Sequence, residues 1–305
     1  MRMAVENGVT LHKDKRIAIF SAYGPELDLL IAKTTHQMTL SINGRSVILG
    51  KLNGHNVILT KTGVSMVNSA MATEAILRTF NVEKVLFSGV AGGIDPTHNI
   101  GDVVVPAKWS DYLEGYLAQG SNGNYPEPDV NNGIYTPANL ISKPVNNGPF
   151  YPESVNLANE MNLGTNVDKE VATTWMQADP KLLKVASGLN VQLSNCGVDA
   201  FTGATHCLTN APKLVVGGNG VSGSSFVDNA DFRSYIFETW QAACVDMESA
   251  AMAHVATVHN VPFIVFRSLS DLAGGSKQSN ELGLFLGLAA NNAANVLLAF
   301  LDAMQ

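Results

Sequence analysis

The feature that most constrains this chain is an alternation of short apolar runs with helical periodicities. Residues 16–22 (RIAIFSA) read as a buried strand, and residues 26–33 begin a helix. Residues 45–52 and 55–60 read as two strands joined near Asn53-Gly54, a hairpin signal. Residues 64–81 carry a helical pattern that places Val67, Met71, Ala75, Ile76 and Phe80 on one face. Residues 85–88, 103–106, 214–216 and 262–267 read as further strands. Residues 247–259 read as an Ala-rich helix with Met252, Val255 and Ala256 inward, and residues 279–304 as a long helix with Ser279 as its N-cap. Short buried strands interleaved with helices predict an α/β fold: a single three-layer domain with a mixed, mainly parallel central sheet flanked by helices. Residues 1–305 form that one domain, interrupted by a surface insertion at about 115–168. The insertion is read from its composition, with eleven Asn between Ser121 and Asn166 among frequent Gly and Pro.

Charge and cysteine content narrow the function classes. Lys and Arg number 19 against 26 Asp and Glu, a net charge of −7, so no basic footprint for nucleic acid is present. No stretch of about 18 uninterrupted apolar residues occurs, which argues against a membrane partner. The first residues show no signal-peptide pattern, and the compartment stays open. Cys196 and Cys207 lie 11 apart in a polar stretch, either bridged or free, and Cys244 in an apolar run reads as a buried thiol.

Open parallel sheets present their ligands to the loops after the strands, and several such positions here carry chemistry. Glu26 follows the first strand closely; it reads as a general base or as an acid complementing a helix N-terminus. Gly89-Val90-Ala91-Gly92-Gly93 reads as a loop in which backbone can approach a ligand, or as a tight turn. Asp246-Met247-Glu248 places two acids at a helix start, suited to accepting hydrogen bonds from vicinal hydroxyls or simply to complementing the helix N-terminus. Asp271, four residues after Arg267, reads as a proton donor in a pocket or as half of a structural Arg–Asp pair. Gly218-Asn219-Gly220-Val221-Ser222-Gly223 matches GxGxxG, but a loop rather than a helix is expected to follow, which argues against a dinucleotide site. His254 and His259 are five apart, not four, so no helical metal pair is expected and neither metal nor cofactor is called for.

Taken together, Ser88-Gly89-Val90-Ala91-Gly92-Gly93 with Gly101-Asp102-Val103-Val104-Val105, then Val245-Asp246-Met247-Glu248-Ser249-Ala250-Ala251, then Arg267-Ser268-Leu269-Ser270-Asp271, resemble the nucleoside phosphorylase and nucleosidase superfamily over residues 16–301. The insertion and residues 217–235 look like its plant branch, which includes bark and vegetative storage proteins and relatives acting on cytokinin ribosides. The resemblance implies that Asp271 faces purine N7 with Ser270 beside it, and that Glu248 holds the ribose diol. It implies that Met247 packs the sugar, that Phe226 stacks on the base, and that Val227 offers backbone contacts. Ala91 and Gly92 would line the sugar side, Asp246 and Arg267 would support substrate binding, and Glu26 would activate water.

The resemblance also marks departures. Phe87 and Val90 stand where phosphorylases keep an Arg and a Ser or Thr, Glu26 replaces a phosphate-binding Arg, and Asp246 stands where relatives usually have Glu. A carboxylate repels phosphate, which favours water as nucleophile. Gly24 and Arg45 are the residues left for an anion, Arg45 by reaching a neighbouring subunit. The expected activity is therefore cleavage of the N-glycosidic bond of a purine nucleoside by a homo-oligomer. Water or phosphate serves as co-substrate, and a storage protein of residual activity is the further alternative. Asp271 is expected protonated and Glu26 ionised.

Overall fold

A computed structural model describes residues 5–6, 9–10, 13–113, 175–199, 202–276 and 280–304. The insertion expected at about 115–168 and the N-cap expected at Ser279 lie outside the described residues.

Two short N-terminal strands, β1 (Val5–Glu6) and β2 (Val9–Thr10), pair with each other. The main sheet is built on β3 (Lys15–Ser21), β6 (His55–Lys61) and β7 (Asn81–Gly93), with β3 parallel to both neighbours. β4 (Thr35–Ile42) and β5 (Arg45–Leu52) extend it on one side as an antiparallel meander. On the other side β16 (Phe263–Asp271) runs parallel to β7, and β8 (Val103–Val105) pairs with both β16 and β13 (Leu214–Val216). The far edge is formed by β15 (Ala242–Asp246), β14 (Asn219–Ser222), β9 (Lys108–Asp111) and β10 (Met176–Gln177).

Residues alternate faces along each strand, and that alternation makes the layers. Ile17 and Ile19 of β3, Leu86 of β7, and Ile264 and Phe266 of β16 join one core cluster. That cluster is closed by α1 (Gly24–Lys33) and α6 (Leu282–Ala303). Ala18, Phe20, Phe87 and Val265 join the opposite cluster, closed by α2 (Met66–Thr79) and α5 (Ser249–Val258). α3 (Pro180–Ser187) packs on the first face, and α4 (Ala230–Trp240) covers a smaller cluster around Tyr112, Trp175 and Trp240. A mixed sheet between helical layers is the expected architecture.

Several expectations change. The glycine run 89–93 is not a loop: it is the end of β7, paired with β16 and β15. The GxGxxG run contains a strand, β14 (Asn219–Ser222). The sequence offers no clear signal for β4 or β15; β4 is mostly exposed and lacks a clean apolar period. On α2 the buried residues are Ser69, Ala72, Thr73 and Ile76, whereas Val67 and Met71 are 68% and 60% exposed. Small side chains let α2 approach the Ala-rich α5 closely, so they take the inner face.

Asn53 and Gly54 turn β5 into β6 with both φ angles positive (45° and 83°), as a two-residue hairpin demands. Cys196 and Cys207 are disulfide-bonded across the hairpin of β11 (Cys196–Val198) and β12 (Thr205–Cys207), where they are directly opposed. Cys244 is free and buried. α6 is long and apolar enough to cross a membrane by length and composition alone, but it is a core helix packed on the sheet through Val296, Leu297 and Phe300.

Candidate active site

The ends of β3, β7, β15 and β16 and the starts of α1, α5 and α6 converge on one cavity of about 230 Å³. β3 ends at Ser21, and the chain turns through Ala22 and Tyr23 into α1, which places Glu26 in the first helical turn. The Glu26 side chain folds back: Oε2 accepts hydrogen bonds from the backbone N–H groups of Ala22 (2.7 Å) and Tyr23 (3.3 Å). Its Oε1 accepts from Val90 N–H at 2.8 Å. A helix-start acid and a cavity acid are here the same residue. It can reach Val90 only because Gly89 is glycine: a Cβ there would stand 2.4 Å from the Arg267 guanidinium and 2.5 Å from Glu26 Oε1.

β15 ends at Asp246, and Glu248 caps α5. Glu248 accepts from Ser65 N–H at 2.9 Å and from the Arg267 guanidinium at 3.2 Å. Asp271 is the last residue of β16; Ser270 Oγ donates to its Oδ2 at 2.9 Å and Ala273 N–H to its Oδ1 at 2.8 Å. Glu26 and Asp271 are each 1% exposed and Glu248 4%. All three line the cavity, with Ala91, Gly92, Ser270, Val227, Phe226, Met247 and Asp246. Phe226 is 53% exposed at this rim, available to a flat ligand.

Arg267, Gly24 and Arg45 are placed differently from the sequence reading: none of them lines the cavity. Arg45 is bound within its own chain, donating to Thr62 O and to Asn68. Arg267 is fully buried beneath the floor and makes no pair with Asp271. It faces Asp246 at 2.7 Å, Glu248 at 3.2 Å and Glu26 at 3.6 Å, and its guanidinium lies 4.4 Å over the Phe87 ring. Its partners are distant in sequence, so only the sheet register reveals them.

One cation among three buried acids sets the electrostatics. Burial pushes Glu248 up to about 7, with Arg267 opposing and the Asp246 charge adding to the rise. Burial also raises Glu26, against Arg267 and the three backbone N–H donors. Asp271 is raised by burial, against its hydrogen bonds from Ala273 and Ser270. Burial thus raises all three acids, Glu26 together with Glu248 and Asp271. A carboxylate raised toward neutrality is a stronger base for water than an ordinary one. The cavity can thus deliver a proton at one end and accept hydroxyl hydrogens and a water proton at the other.

The family described as the phosphorylase superfamily matches residues 16–302. A 5′-methylthioadenosine/S-adenosylhomocysteine nucleosidase of Tolumonas auensis is 28% identical over 287 residues, covering 94% of this chain and 98% of the relative. The nucleosidase of the same name from Bacillus cytotoxicus is 28% identical over 295 residues, covering 95% and 100%. Among solved structures, the nucleosidase of S. pneumoniae with a transition-state inhibitor superposes with a TM-score of 0.66 at 22% identity, covering 96% of this chain and 100% of that one. Futalosine hydrolase of Helicobacter pylori superposes at 0.63 with 21% identity, covering 94% and 97%.

Proposed function

Given that this chain belongs to the phosphorylase superfamily, we propose that it hydrolyses the N-glycosidic bond of purine nucleosides. The observation that carries this is the convergence of Glu26, Glu248 and Asp271 on one cavity. Asp271, its carboxyl pushed up by burial, donates to N7 of the base, so the purine departs neutral rather than as an anion. Glu248 accepts from the ribose hydroxyls and steadies the sugar as it gains oxocarbenium character. Glu26, held by three backbone N–H groups, takes the proton of the attacking water. Phe226 packs on the base, Val227 offers its backbone, Met247 lies along the sugar, and Ala91 and Gly92 form the sugar side.

Phosphorolysis is the second reading and has less support. Arg267 is neutralised by acids, and Gly24 and Arg45 lie off the cavity. A phosphate dianion would meet Glu26 with no free cation among the described lining residues to hold it. The apolar wall of Val64, Phe226 and Leu282 suits a thioether-bearing adenosine, in keeping with the relatives' names. Cytokinin ribosides and a storage role gain no support from the relatives named above. Assembly as a homo-oligomer fits the exposed Val67 and Met71 beside the cavity residue Val64.

The test is product analysis on 5′-methylthioadenosine, adenosine and N6-isopentenyladenosine, with phosphate varied. Free ribosyl product at a phosphate-independent rate is expected. A ribose-1-phosphate product would replace hydrolysis by phosphorolysis.

A further inference from the structure

Asp246 lines the cavity, and its resemblance-based role is substrate binding. Its carboxylate has no capacity left for a ligand. Oδ1 accepts from Ser222 Oγ and from the backbone N–H groups of Glu248 and Ser249, both at 3.1 Å. Oδ2 accepts from Ser249 Oγ and pairs with Arg267 Nε at 2.7 Å. Five donors fill the roughly four lone-pair sites of an ionised carboxylate. The two serines are committed in turn: Ala250 N–H donates to Ser222 Oγ, and Arg267 donates to Ser249 Oγ.

We infer that Asp246 is a positioning residue: it fixes Arg267 edge-on and pins the backbone at residues 248 and 249, so that Glu248 is aimed into the cavity. This inference deepens the nucleosidase reading and rests on it. Three consequences of the geometry support it. The shortest Arg267 ion pair is with Asp246, so Asp246 sets which edge of the guanidinium turns to Glu248 and Glu26. The Glu248 N–H is bound by Asp246, which fixes the cap conformation from which the Glu248 side chain projects. Asp246 also takes the largest share of the cation, leaving Glu248 free to accept hydrogen bonds from a ligand.

Glu248 faces Arg267 of β16, Asp246 of β15, and Glu26 and Tyr23 at the start of α1. Asp246 itself faces Arg267, Glu248, the Cys244 thiol and the Tyr112 phenol. Removing the Asp246 charge takes a repelling neighbour from Glu248 and returns Arg267 to it, so Glu248 and Glu26 should ionise at lower pH.

The experiment compares wild type, Asp246→Asn, Ser249→Ala and Glu248→Gln on adenosine and 2′-deoxyadenosine across pH. Loss of aim at Glu248 should lower the ratio of the two kcat/KM values by about tenfold in Asp246→Asn, toward the ratio of Glu248→Gln. The acidic limb of kcat/KM should also move to lower pH. Ser249→Ala, which keeps the carboxylate charge and removes one hydroxyl bridge, should lower the ratio by less and leave the acidic limb in place, and its ratio serves if Asp246→Asn does not fold. A retained wild-type ratio in these variants, or an acidic limb that stays or rises in Asp246→Asn, overturns the inference while leaving the nucleosidase reading intact. Failure of wild type to release adenine from adenosine, 2′-deoxyadenosine and 5′-methylthioadenosine alike overturns that reading, and this inference with it.

Discussion

Asp271 is buried and aimed into the cavity, and Asn in its place keeps the shape and one acceptor oxygen for Ala273 N–H while removing the acidic proton. Asp271→Asn should therefore lower turnover by roughly 10²–10⁴-fold with an unchanged melting temperature, measured by adenine release and calorimetry. Near-normal turnover would remove the assignment. Glu248 makes a second prediction through linkage. Its folded pKa of about 7 lies above the ordinary 4.5, so the folded state binds more protons than the unfolded state between those values. The Glu248 contribution to stability is present in full below about pH 4.5 and is lost as pH rises toward 7. Glu248→Gln should flatten that slope, read as melting temperature against pH; an unchanged slope would contradict it. The three acids were legible in the sequence because each sits in a short motif beside a strand end. The hub that joins them was not, because the partners of Arg267 lie in segments that only tertiary pairing brings together.

At the scale of elements, glycines misled the sequence reading. The run 89–93 reads as a loop or tight turn, yet it ends β7, and the GxGxxG run holds β14. They serve as strand positions onto which large side chains close down. A Cβ at Gly220 would stand 2.6 Å from the Trp109 ring, as one at Gly89 would meet Arg267. Gly89→Ala should therefore displace Glu26 or Arg267, costing about 1–3 kcal/mol of stability and most of the activity. Denaturation and rate measurements check it, and a fully active, equally stable variant would refute it. The long apolar α6 makes its own prediction. Its buried Asn292 accepts from Ser194 N–H and donates to Ser194 O and Gly101 O. Asn292→Ala should cost about 1–3 kcal/mol by leaving those backbone groups unpaired. Urea denaturation should show the loss; wild-type stability would mean that those groups find other partners.

The whole molecule is an α/β sandwich whose layers were readable from strand–helix alternation, while the edge strand β4 and the interior strand β15 were not. β4 carries too many exposed residues, and β15 is a five-residue run overshadowed by the acids that follow it. The same limit applies to α2, where the largest apolar side chains face outward and small ones pack inward. An oligomer that covers Val67 and Met71 should dissociate in a Val67→Glu/Met71→Glu variant, seen as a fall in mass by light scattering; a monomeric wild type would rule out that assembly. The account as a whole stands on three acids addressing one sugar–base bond. A crystal structure with adenine and a ribose mimic bound tests this most directly. The purine N7 should lie within hydrogen-bond distance of Asp271, the sugar hydroxyls at Glu248, and a water between Glu26 and the anomeric carbon. A base or sugar seated away from any one of these carboxyl groups would contradict the account.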